Sequence, residues 1–193
     1  MANYETLNDD KLKKSDAIEE IFDWIESIIF SIFVISLIFT FILRPAIVKG
    51  PSMMPTLIDK DRLIISNIFY EPKDKDIIII NCKSLNEAIV KRVIATEGQE
   101  VNIDFEQGKV YVDGKEQFEP YINDITKNDF KLSNQAAFTY PITVPKNCVF
   151  VLGDNRNDST DSRSILVGFV NKDDILGHAV FRVYPFNTFG TID

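Results

Sequence analysis

Asp76-Ile77-Ile78-Ile79-Ile80-Asn81-Cys82 decides the fold class of this chain. Four consecutive isoleucines leave no polar face, so a strand here has to be covered on both sides. Strand character recurs outward from it. Ala46 to Lys49 and Arg62-Leu63-Ile64-Ile65-Ser66 come before. Ala88 to Thr96, Val101 to Phe105, Lys109 to Val112, Cys148 to Leu152 and Ile175 to Tyr184 come after. Glu106-Gln107-Gly108 reads as a hairpin connection and Asp113-Gly114 as the next turn. No helical period of useful length follows residue 44. The expectation is a mainly β domain of antiparallel sheets. Residues 119 to 141 are polar with little periodicity, which predicts an inserted loop or small subdomain at about 115–145.

Upstream the character changes. Ser27 to Leu43 carries no charge. It falls a little short of the ~20 residues that cross a bilayer core, and Trp24 and Ile25 extend it at the interface. Ser31, Ser36 and Thr40 can bond back to helical carbonyls, so they do not forbid insertion. Asp16 and Glu19 have capping-box spacing, which predicts a helix start near Ser15 or Asp16, and Arg44-Pro45 is expected to close it. A cleavable signal peptide fits less well: the leader is long and partly acidic, and Arg44-Pro45-Ala46 offers no small-x-small site. The expected organisation is a cytoplasmic segment 1–23, a transmembrane anchor 24–44 and an extracytoplasmic β catalytic domain 45–193. Lys11, Lys13 and Lys14 before the span against Arg44 and Lys49 after it give only a weak positive-inside bias.

The chain has 193 residues and a net charge of −8. Roughly 145 residues remain beyond the span, enough for one domain with a core. The acidic balance argues against nucleic acid as a partner. Cys82 and Cys148 form no Cys-x-x-Cys pair, so no metal site is expected; a disulfide and two buried thiols both remain open. His178 is the single histidine.

Gly50-Pro51-Ser52-Met53-Met54-Pro55-Thr56-Leu57 holds a hydroxyl among residues that restrict or release the backbone. A linker turn and a site for a nucleophile both fit it. A nucleophilic serine needs a base. His178 lies in the strand-like Ile175 to Phe181, and a structural histidine suits that setting. Lysine is the other option, provided its surroundings disfavour the ammonium. Lys91 lies between Ala88-Ile89-Val90 and Val93-Ile94-Ala95. Strand alternation places it on one face with Ile89 and Val93, and Arg92 on the other. An edge lysine that snorkels to solvent is the competing reading. Gly153-Asp154-Asn155-Arg156-Asn157-Asp158-Ser159-Thr160-Asp161-Ser162-Arg163 follows an apolar strand. It is either a polar turn or a source of hydroxyls and charges that orient a lysine.

Taken in order, Ser52 to Leu57, Lys91-Arg92-Val93-Ile94 and Gly153 to Arg163 resemble the boxes of type I signal peptidases, with Asp76-Ile77-Ile78 resembling the intervening strand box. The resemblance runs from about residue 24 to the C-terminus, and the short chain with one span is similar to the Gram-positive-type branch. It implies a membrane-anchored serine endopeptidase that removes signal peptides from exported precursors after small residues, through an acyl-enzyme and without a cofactor. By that resemblance Ser52 is the nucleophile and Lys91 the general base. Ser159 hydrogen-bonds the lysine amine, and Asp154, Asp161 and Arg163 support the site. Substrate would lie extended between strands 46–50 and 88–90, with Val48, Gly50, Met53, Ile89 and Val90 binding it. The implied partners are signal peptides and the lipid bilayer. Gly50 stands where many members have a hydroxyl that helps bind the oxyanion, so the Ser52 N–H would act without it.

Ser52 is nine residues past Leu43, at most ~30 Å along an extended chain. Phe181, Tyr184, Phe186 and Phe189 suit either the membrane interface or the core. A sortase-like transpeptidase would enlist Cys148, His178 and Arg182, but its Thr-Leu-x-Thr-Cys motif is missing. An anchored β scaffold without catalysis is the non-enzymatic alternative.

Overall fold

A computed structural model describes residues 2–41, 43–127 and 136–192; residues 128–135 of the expected insertion lie outside them. The chain divides into two compact units, 1–42 and 43–193. The first is one helix, α1 (Ala2–Phe41), which starts well before Ser15. The leader contributes Ala, Glu, Lys, Leu and Asp, residues that form helix readily or neutrally but leave no periodic apolar face to read. Within α1, Glu20–Phe39 is long and apolar enough to cross a membrane, and none of it is buried in the protein.

The second unit consists of β1 (Arg44–Ile47), β2 (Arg62–Ser66), β3 (Ile77–Cys82), β4 (Glu87–Thr96), β5 (Glu100–Asp104), β6 (Lys109–Val112), β7 (Lys115–Glu116), β8 (Ile142–Thr143), β9 (Cys148–Leu152), β10 (Val170–Asn171), β11 (Ile175–Tyr184) and β12 (Gly190–Thr191). One eight-stranded sheet runs β1-β2-β11-β3-β4-β9-β10, with β12 on β11. A four-stranded sheet runs β7-β6-β5-β8. All described pairings are antiparallel. Arg44-Pro45 opens strand β1 instead of merely ending a helix. Proline is tolerated there because β1 is an edge strand with one partner.

The isoleucine run behaves as its composition requires. β3 pairs β4 on one side and β11 on the other. Ile77 and Ile79 enter a core with Val48, Met53, Leu57 and Leu63. Ile78, Ile80 and Cys82 enter a second core with Ile89, Val93, Val149 and Val151. Each covered isoleucine contributes roughly 2 kcal/mol. β4 and β9 then join the two sheets, because Ile94, Phe150 and Leu152 pack with Val101, Ile103 and Val110 of the smaller one. Cys82 and Cys148 are both free thiols. Of the C-terminal aromatics, Tyr184, Phe186 and Phe189 are exposed, which removes the core reading for them.

Candidate active site

Gly50 to Leu57 forms a tight turn between β1 and β2. Gly50 has φ +77°, a left-handed conformation that glycine adopts without a Cβ penalty. Its N–H donates to Asp59 Oδ1 at 2.9 Å. Met54 N–H donates to Pro51 O at 3.0 Å and Leu57 N–H to Met53 O at 2.9 Å. Met53 and Leu57 are both fully buried. They anchor the turn from below and leave Ser52 half-buried at its head. Among the described residues no acceptor takes the Ser52 N–H.

Lys91 comes to this turn from β4, opposite Ile78. It is 3% exposed. Its Nζ donates to Ser52 Oγ at 2.8 Å and to Val90 O at 2.9 Å. No carboxylate pairs with it among the described residues. Burial pushes its amine down to about 8, against the weaker opposing pull of Asp161 and Glu87. About one amine in ten is then neutral at pH 7.

Gly153 to Arg163 packs against the other side. Asn155 N–H donates to Ser52 O at 3.0 Å, and Asn155 Nδ2 to Pro51 O at 3.2 Å. Gly153 is pressed so closely that a Cβ would lie 2.5 Å from Ser52 O and would strike Ser159. Asp161 is fully buried. It accepts from Gly153 N at 3.0 Å and from Arg163 Nε and Nη2, each at 2.8 Å. Burial alone would raise its carboxyl, but the Arg163 guanidinium and the Gly153 N–H hold it below the usual range. Ser162 Oγ accepts from Val151 N at 2.9 Å. Ser159 differs from the family expectation: its Oγ is buried and has no hydrogen-bond partner among the described residues, while Lys91 takes Ser52 and Val90 instead.

Asp154 is 1% exposed and binds Arg92 through both oxygens, Nε to Oδ1 at 2.8 Å and Nη2 to Oδ2 at 2.7 Å. Thr56 Oγ1 donates to the same carboxylate. Arg92 also donates to Lys75 O at 2.8 Å and lies 4.0 Å from the centre of the Tyr121 ring. The sequence assigned neither Arg92 nor Thr56 a role at the site, and Arg182 one only in the sortase-like alternative. Arg182 Nη1 reaches Thr56 O and Asp61 Oδ2, both at 3.0 Å. The available signal was Arg92, a charge on the same strand face as Val90 and Ile94.

A cleft of about 240 Å³ borders the pair, with Gly50, Ala88, Ile89 and Val90 in its lining. Val48 and Met53, expected there, lie in the core instead, 2% and 0% exposed. β4 pairs β9 only from Arg92 to Thr96, so among the described residues Glu87 to Lys91 keeps one edge without a strand partner. His178 is occupied elsewhere: its Nδ1 lies 2.9 Å from Ser66 O and its ring stacks on Tyr70 at 4.2 Å. A hydroxyl beside a buried amine that titrates near neutrality can carry acyl transfer.

Known proteins match in sequence over most of the chain. The family model for signal peptidase, peptidase S26, matches residues 21–184. Signal peptidase I P of Bacillus subtilis subsp. natto is 37% identical over 179 residues, 91% of this chain and 92% of its own. Signal peptidase I T of B. subtilis is 37% identical over 169 residues, covering 86% of each. Signal peptidase IB of Staphylococcus aureus is 33% identical over 184 residues, 89% and 93%. A crystal structure of a signal peptidase I from Enterococcus faecalis superposes with a TM-score of 0.46 at 31% identity, over 56% of this chain and 97% of that one. With a family match across most of its length, the chain belongs to the signal peptidases, peptidase S26, and is a serine-type endopeptidase of that family.

Proposed function

We propose that Ser52 and Lys91 form the catalytic dyad with which this membrane-associated signal peptidase cuts signal peptides from exported precursors. One observation carries the reading: Lys91 Nζ lies 2.8 Å from Ser52 Oγ, buried and without a carboxylate to hold its proton. Neutral Lys91 takes the Ser52 hydroxyl proton as Oγ attacks the scissile carbonyl. The resulting oxyanion has the Ser52 N–H as its donor, with no side-chain hydroxyl at Gly50. As the C–N bond breaks, the Lys91 ammonium gives its proton to the leaving amine. The signal peptide is then an ester on Ser52. Lys91, neutral again, takes a proton from water, which attacks the ester; as the bond to Oγ breaks, Lys91 returns that proton to Ser52 and the second product leaves.

The free edge of Glu87 to Lys91 suits an extended peptide added as a strand. Ala88, Ile89 and Val90 beside it leave a shallow apolar cleft, suited to small side chains. The expected substrate is therefore a precursor cut after small residues. The N-terminus is placed in the cytoplasm and the β domain outside, where exported chains emerge. The test is covalent: an acylating inhibitor should mark Ser52 in a tryptic digest, and labelling of another residue would overturn the assignment.

A further inference from the structure

The loop that grips the Ser52 carbonyl is itself held from outside by residues to which the dyad chemistry assigns nothing. Arg156 follows Asn155 and is 2% exposed. Its Nε donates to Gly153 O at 3.2 Å. Both of its terminal nitrogens turn to Glu119, Nη1 to Oε2 at 2.9 Å and Nη2 to Oε1. The two side chains are 0% and 6% exposed. Thr126, fully buried, accepts from Nη1 at 3.0 Å. One residue further, Asn157 adds a second tether: its Oδ1 accepts from Lys127 N at 3.1 Å and its Nδ2 donates to Ile125 O at 3.1 Å. The segment that holds these partners is seated on the smaller sheet. Thr126 N–H donates to Gly108 O at 3.2 Å, and Ile125 lies so close that a Cβ at Gly108 would be 2.5 Å from its own.

A contiguous chain of contacts thus runs from the smaller sheet through Glu119 and Arg156 to Gly153 and Asn155, and from there to the Ser52 carbonyl. An ion pair this deeply buried is a poor way to gain stability, since apolar residues of similar volume serve as well. It does fix two backbones in one relative position through a forked, directional contact. Displacing a reacting group by about 1 Å can cost ~10²-fold in rate.

We propose that Glu119 is a positioning residue for catalysis, acting through Arg156 to hold the Gly153–Asn155 backbone against the nucleophile turn. The inference rests on Ser52 being the nucleophile. The test uses the full chain in detergent, with steady-state cleavage of a precursor peptide and active-site titration by an acylating inhibitor, at a temperature where each variant is folded. Glu119→Gln should lower kcat about tenfold and slow acylation equally, with KM within about twofold and full titratable sites. Arg156→Lys should match it, and the double variant should be no worse than the poorer single one. A folded Glu119→Gln with wild-type kcat overturns the proposal, even if its melting temperature has dropped. Should Glu119→Gln fail to fold, Asn157→Ala severs only the outer tether; a kcat fall of about threefold supports the proposal and an unchanged kcat overturns it. Ser52→Ala in the same assay separates the two readings: if it still cleaves normally the dyad is wrong, whereas a dead Ser52→Ala beside a normal Glu119→Gln sinks only the brace.

Discussion

Lys91 and Arg92 are neighbours on β4, both cationic and both almost fully buried, yet the protein treats them in opposite ways. Arg92 faces Asp154, which binds it with two oxygens, and adds Lys75 O and the Tyr121 ring. Its Nε, Nη1 and Nη2 each meet an acceptor, and the guanidinium lies over a π face. Lys91, on the other face with Ile89 and Val93, meets one hydroxyl and one carbonyl. The paired cation is a structural tie. The cation left short of partners is the one that gives up its proton near neutral pH. Removing a charged group from water without a full set of partners shifts its titration instead of holding it charged.

The contrast breaks most visibly in activity. Ser52→Ala and Lys91→Ala should each lower kcat by at least about 10³ while leaving the far-ultraviolet circular dichroism unchanged. Precursor cleavage at near-normal rates by either variant would mean that the close pair is not the catalytic one. Arg92→Met should act on the fold instead. It strands the Asp154 carboxylate in the interior, and breaking such a pair costs about 3–5 kcal/mol, measurable by urea unfolding. A neutral outcome would show that Asp154 is held by Thr56 and solvent, not by Arg92.

Lys91→Met should move stability in the opposite direction. A folded-state value near 8, against 10.5 for the ordinary amine, corresponds to about 3 kcal/mol of penalty for the charged form. Below pH 8 both folded and unfolded chains carry the proton and the penalty is complete. Between about 8 and 10.5 only the unfolded chain binds it, so wild-type stability rises with pH; above that window the penalty is gone. The variant should therefore exceed wild type by about 2–3 kcal/mol at pH 7 and lose the advantage by pH 10.5. The smallest effect belongs to the periphery of the Arg92 cluster. Thr56→Val removes one hydrogen bond to Asp154 and should cost about 1–2 kcal/mol in the same urea titration.

Much of this was legible in the chain. Four isoleucines in a row could be covered only inside a sheet, and β3 is flanked on both sides. Alternation along β4 is enough to separate Lys91 from Arg92. What could not be read were partnerships made by tertiary placement. Glu119 lies 37 residues from Arg156, in a stretch with no period to mark it. Val48 and Met53 flank the nucleophile in sequence, but the turn through Gly50 sends both into the core. The helix ran back to Ala2 because propensity alone supports helix there, and hydrophobic periodicity, the main clue, was missing. The hydroxyl expected to steady Lys91, that of Ser159, is buried but unpartnered among the described residues, and spacing along a loop does not determine which way a hydroxyl points.

The central claim is that Lys91 loses its proton near neutrality because burial outweighs the pull of Asp161 and Glu87, neither of which pairs with it directly. The most direct measurement is the titration of its Nζ by NMR in the detergent-solubilised chain, using side-chain-labelled lysine and Lys91→Met to assign the signal. A midpoint near pH 8 is expected, well apart from the remaining lysines. A midpoint above pH 10 would contradict the account, because the amine would then be a permanent cation at Ser52 and not a base.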